Sequence, residues 1–134
     1  MDQDERQELL TVIADFIVLG HVENIVAMFK QDLALYGLTG DLLRDERYMV
    51  RLGMAVLFEE LASQRPLEIA LAIPALLPLL ADPIPYLRGE AVALLGIIAT
   101  PAALAAVSSL ENDPDPQVAE IVRDISHPDC LTPR

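Results

Sequence analysis

The sequence predicts an all-α fold: an α-solenoid of about three helical hairpins, preceded by N-terminal capping helices. Three observations predict it. Hydrophobic residues make up 53% of the chain, yet only three Phe, three Tyr and no Trp are among them. Leu, Ala, Ile and Val supply the rest; they suit close helix packing, and Leu and Ala are strong helix formers. No sustained two-residue alternation, the mark of strands, appears anywhere. Finally, one stretch of the chain recurs at a spacing in the thirties, which marks stacked helical units.

The elements follow in order. Asp4 to Leu19 reads as an amphipathic helix with Leu9, Val12, Ile13 and Phe16 on one face, punctuated by Gly20. A second helix is expected from Val22 through Phe29, with Ile25, Val26 and Phe29 apolar, continuing kinked towards Tyr36. These helices, residues 1–30, are expected to cap the first unit, because a terminal unit needs one polar face. The rest divides into units 31–64, 65–99 and 100–126 and a tail, 127–134. At 134 residues the chain fits a single domain, 1–134, with a real core.

The repeat is read directly. Leu43 to Leu61 lies on Leu80 to Ile98 without a gap, and Leu110 to Ile125 falls on the same frame. Asp45, Asp82 and Asp113 coincide. So do Val50, Leu87 and Val118, then Met54, Ala91 and Val122, then Leu57, Leu94 and Ile125. The apolar positions step by four and three, one stripe of an α-helix. An aspartate precedes each stripe, and in two units Pro follows it, which suggests a helix N-cap. Another apolar segment lies upstream of each aspartate, so the unit is helix A, tight turn, helix B. Such a unit cannot bury its face alone, but stacked units can.

At these residues the chain resembles the HEAT-repeat family. The shared pattern is an Asp in the turn, a hydrophobic-Arg pair six residues on (Val50-Arg51 and Leu87-Arg88) and a proline, Pro74, inside helix A. The short unit is most similar to the HEAT-like repeats of bilin-lyase relatives and many small bacterial proteins. Unit three departs from the pattern, with Ala119 in place of Arg; unit one departs with Gly37 and Gly40 in its helix A. The resemblance spans roughly residues 31 to 126. It implies a right-handed solenoid of HEAT-like hairpins, and a structural ladder in which Asp45, Arg51, Asp82, Arg88 and Asp113 link the units by hydrogen bonds. It implies little about function.

Charge narrows the partners. The formal net charge is −12, which repels phosphate backbones and anionic membrane surfaces and steers basic ligands inwards. Nucleic acid and membrane are therefore not expected as partners. Ala91 to Leu110 is uncharged and near a bilayer's length, but Thr100-Pro101 splits it into one helix end and one helix start. The N-terminus lacks the basic start and apolar stretch of a signal peptide, so a cytoplasmic location is expected.

His127 and Cys130, three apart, are two ligands at most, and Cys130 is the only cysteine. No phosphate loop, nucleophile elbow, dinucleotide fingerprint or zinc-protease motif occurs. No catalytic residue, metal or cofactor is expected. The reading is a non-catalytic protein-interaction module whose B helices line one face. Acidic Glu59, Glu60, Glu90 and Glu120 on that face favour a protein partner with a basic segment, or a basic peptide. The alternatives are a bilin-lyase-like enzyme or cofactor chaperone, which the repeat subtype permits, and a structural subunit of a larger complex. A homodimer is also expected, through the N-terminal helix or the last unit, since the apolar content exceeds what three units need.

Overall fold

The computed structural model describes residues 1–127, and every described element is helical. Eight α-helices appear among these residues: α1 (Gln3–Val18), α2 (Val22–Gln31), α3 (Thr39–Leu43), α4 (Tyr48–Gln64), α5 (Ile73–Leu76), α6 (Pro85–Ile98), α7 (Pro101–Ser108) and α8 (Pro116–Ser126). The long helices pack side by side in the order α1, α4, α6, α8. Of the segments between them, α2, α3, α5 and the 3-10 turns beside them touch one another in sequence, and α7 packs on α6 and α8. One continuous buried cluster runs from Ile13 to Val122.

The ends of the helices follow from their residues. Asp2 starts α1 by accepting the Glu5 N–H at 2.8 Å. Gly20, at φ 85°, turns the chain out of it. Thr100 caps α7, its hydroxyl accepting the Ala103 N–H at 3.1 Å, with Pro101 as the first helical residue. The uncharged run 91–110 is therefore two helices, and no described helix is long and apolar enough to cross a membrane.

Two of the three A segments differ from the expected helix. Residues 33–38 form a 3-10 turn leading into the single turn and a half of α3. Residues 68–81 run as a 3-10 turn, the one-turn α5 and a further 3-10 turn. Pro74 and Pro78 each remove a backbone donor from that stretch and fix φ, so a regular i→i−4 ladder cannot persist. Helix α2 breaks at Asp32, which is extended and whose carboxylate accepts the Ala34 N–H, and the chain resumes as the 3-10 turn that carries Tyr36.

The N-terminal helix buries the expected stripe in part, rotated towards Ala14 and Ile17, with Leu9 and Phe16 packed at the edge of the core. Ile13, Ala14 and Ile17 are buried, Leu9 and Phe16 are half-buried, and Val12 is exposed. The rotation is set by Gly53 on α4. A Cβ there would collide with the Ile17 side chain, so the glycine lets Ile17 seat directly on the α4 backbone. Two ion pairs fasten the same helix at its ends, Arg6 to Asp41 at 2.6 Å and Arg47 to Asp15 at 2.9 Å. Thus α1 stands in the row of long helices as α4's neighbour.

Candidate functional site

The three turns before α4, α6 and α8 share one geometry. Each repeat aspartate accepts the N–H of the residue two positions on: Arg47 from Asp45, Ile84 from Asp82, Asp115 from Asp113, each at 2.9 Å. The aspartates thus close an Asx turn and do not cap the helices, as had been expected of them. The residue at the cap is Arg47, Ile84 or Asp115.

The ladder forms at one junction and not at the other. Arg88 grips Asp113 with Nε and Nη2, both at 2.9 Å, and its Nη1 donates to the Asp82 and Pro83 carbonyls at 2.9 and 3.3 Å. This fork holds the Asp113 carboxyl below its ordinary pKa, against the opposing effect of burial. Arg51 makes the corresponding bonds to its own turn, the Asp45 and Glu46 carbonyls, but does not bond to Asp82. Asp82 is taken by Arg44 at 2.8 Å. Asp45 is held by Arg47, two residues on.

Arg51 has gone elsewhere. Its guanidinium carbon lies 4.5 Å from the centre of the Tyr86 ring and 5.4 Å from that of Tyr48. Its Nε is buried without a hydrogen-bond partner among the described residues. Stacking on two rings stabilises a cation that has lost its carboxylate.

The acidic residues singled out on the B helices are not equivalent. Glu59, Glu60 and Glu120 are exposed. Glu90 is half-buried, and burial raises its pKa, with partial relief from Arg51. What the sequence reading missed is apolar. Met49, Leu52 and Val56 lie along α4 with 53%, 48% and 46% of their surface exposed, beside exposed Tyr48 and Tyr86. The signal was present: 49, 52 and 56 step by three and four, a second stripe alongside Val50, Met54 and Leu57.

Three concavities lie between neighbouring elements, and one of them shares Val56 with this face. A groove of about 510 Å³ between α2 and α4 has Val22, Val26 and Val56 on its walls, with Glu23 and Glu60 among the polar residues. Its Lys30 is held by Gln64 at 2.8 Å. A second groove, about 430 Å³, lies between α1 and the turn before α4; its three arginines, Arg6, Arg44 and Arg47, all sit in ion pairs. The third, about 140 Å³, lies between α6 and α8. No group of three or more His, Cys, Asp or Glu that could hold a metal occurs among the described residues. His127 is exposed at the end of α8, and Cys130 lies outside the described residues.

Comparison with known proteins returns no match: no family model, no curated protein and no solved structure matches the chain.

Proposed function

We propose that the protein is a non-catalytic protein-interaction scaffold, a right-handed solenoid of HEAT-like hairpins that docks a basic amphipathic segment of a partner protein. The observation that carries it is the exposed stripe Met49, Leu52 and Val56 on α4. The stripe ends at exposed Glu59 and Glu60, and it borders a groove that also holds Glu23. An apolar strip rimmed by one sign of charge suits an amphipathic helix with the opposite charge. The packing order α1, α4, α6, α8 supports the solenoid, since each long helix packs chiefly on its neighbours in that row. A net charge of −12 supports the basic partner.

The test is a titration with labelled cationic amphipathic peptides at several salt concentrations. Binding should weaken as salt rises, because the acidic rim is exposed and screened. The double variant Leu52→Ser, Val56→Ser should weaken it by about tenfold or more without lowering the melting temperature. Affinity indifferent to both salt and the double variant removes the reading. Light scattering on a dilution series separates the competing occupant, a second copy of the chain: a dimer that the double variant dissolves assigns the stripe to self-association. A visible chromophore carried or taken up by purified protein would favour a bilin-lyase-like role instead.

A further inference from the structure

The small cavity between α6 and α8 has a composition of its own. Tyr86 and Glu90 on α6 face Asp115, Val118 and Ile121 from the α8 side, with Gly89 between the two helices. A methyl group on Gly89 would meet Ile121 at 3.3 Å, so the glycine keeps this space narrow. At about 140 Å³ it is well below the about 300–1,000 Å³ of a small-molecule site and is suited to one side-chain head.

Its charge is unbalanced. Among the described residues Glu90 takes part in no ion pair, though Arg51 acts on it through space, and neither does Asp115, whose carboxylate accepts the Gln117 and Val118 N–H groups and lies near Arg88. Arg88 is spent on Asp113. Arg51 lies over the Tyr86 ring at 4.5 Å. Around the cavity, therefore, two guanidiniums meet three carboxylates, and one positive charge is missing. The Tyr86 ring already binds one guanidinium by stacking, and half-buried Glu90 meets a newcomer without its full hydration shell.

The geometry points to this cavity as a binding site for one arginine side chain of the basic partner, the guanidinium meeting Glu90 and Asp115 beside Tyr86. Arginine fits better than lysine because a planar fork can serve two carboxylates and lie along a ring. The site deepens the proposed function by naming the residue that the partner must present, and it rests on that reading for its biological meaning. It also makes the α6–α8 cleft a specificity element separate from the apolar stripe of α4.

The experiment uses the full chain and two probes. N-acetyl-arginine amide at millimolar concentration, followed by amide NMR, should shift the backbone signals of residues 86–90 and 117–121 saturably. The neutral isostere N-acetyl-citrulline amide should not. Glu90→Gln should weaken the arginine response by about tenfold, the loss of one partly desolvated charge pair. Because Glu90 is half-buried, Asp115→Asn serves as the second variant, and the melting temperature of each is checked. Equal responses to arginine and citrulline, or no shift at these residues, overturns the site. The cationic peptide of the previous section then separates the failures. If it binds and needs Leu52 and Val56 but ignores Glu90→Gln, the cavity proposal falls and the scaffold reading stands. If arginine amide binds here and no peptide binds, the scaffold reading falls alone.

Discussion

The junction between the first two units and the junction between the last two are built from the same residue types and joined differently. Between α6 and α8 an arginine reaches forward and grips the next turn's aspartate; the side chains are 13% and 3% exposed. Between α4 and α6 the equivalent aspartate, Asp82, is only 8% exposed but is held by Arg44, itself 46% exposed. The difference lies one position before the turn. Arg44 precedes Asp45, and at the same place in the next unit stands Ala81. Asp113 therefore has no competing arginine from unit two's own A segment, and Arg88 wins it. Asp82 has a competitor, and Arg51 is displaced onto the tyrosines. A repeat position thus fixes which residue is offered, while a neighbour outside the motif decides which bond forms.

The opposite side of the first junction should be the most sensitive to substitution. Gly40 packs against unit two so closely that a Cβ would lie 2.6 Å from the Ala75 carbonyl oxygen. That neighbour is backbone and cannot rotate away. Gly40→Val should therefore cost about 2–3 kcal/mol, at the upper end of overpacking. At the second junction the same repeat position is Leu77, which is exposed. Leu77→Val should be nearly silent, within about 0.5 kcal/mol. Chemical denaturation of the pair checks this, and similar losses for the two would show that the A segments do not differ as described.

The two rungs of the ladder should respond less strongly, and unequally. Arg88→Ala leaves Asp113 without its fork and strips a donor from two turn carbonyls, and the melting temperature should fall by about 5 °C. Arg51→Ala removes stacking and two long bonds of 3.3 and 3.4 Å, and should fall by less than half as much. Arg65→Ala, outside the repeat frame, should barely move it. Acid separates the first two further. A carboxylate with a depressed folded pKa adds stability above the unfolded value near 3.9 and loses it as the pH drops towards the folded value. The Arg88 fork depresses Asp113, so below about pH 5 the wild type should lose stability more steeply than Arg88→Ala. Arg51→Ala should stay closer to the wild-type slope, since Asp82 owes its lowered pKa first to the Ile84 N–H and then to Arg44, and Arg51 acts on Glu90 and Asp45 only through space. Superimposable acid limbs for Arg88→Ala and Arg51→Ala would refute the inequality of the two rungs.

The long helices were legible because their signals are local. The stripe Val50, Met54 and Leu57 and its copies repeat at helical spacing, and those in α4 and α6 are buried. The Thr100-Pro101 break was legible for the same reason. The A segments were less so. Their apolar runs look helical, but Pro74 and Pro78 spoil the hydrogen bonds while leaving hydrophobicity intact. The rotation of α1 was hidden because it depends on Gly53, about forty residues away in the chain. In the candidate site, exposure of Glu59, Glu60 and Glu120 followed from their place on helix faces. The half-burial of Glu90 did not, since it arises from α6 lying between two neighbours. The apolar stripe of α4 was written in the sequence but looked like core, because α4 is apolar on two sides and only packing shows which side is left open.

The smallest expected effect has the opposite sign and concerns how each unit hands over to the next. Helix α6 ends at Ala99, whose φ of 58° places it in the left-handed region, alone among the described non-glycine residues. Helix α4 ends instead at Arg65 with φ −140°, a conformation open to any residue. The left-handed cap lets the chain reverse within one residue, and Thr100 can then start α7 at once. Alanine is strained there by about 1 kcal/mol, because its Cβ approaches the following carbonyl. Glycine escapes that strain but gives the unfolded chain more freedom, which takes back part of the gain. Ala99→Gly should therefore stabilise the protein by a few tenths to about 1 kcal/mol, and Arg65→Gly should destabilise it. Ala99 is exposed, so the substitution leaves no cavity. Loss of stability in Ala99→Gly by denaturant titration would mean that the second junction closes without left-handed strain, and that its tightness comes from the Arg88–Asp113 fork alone.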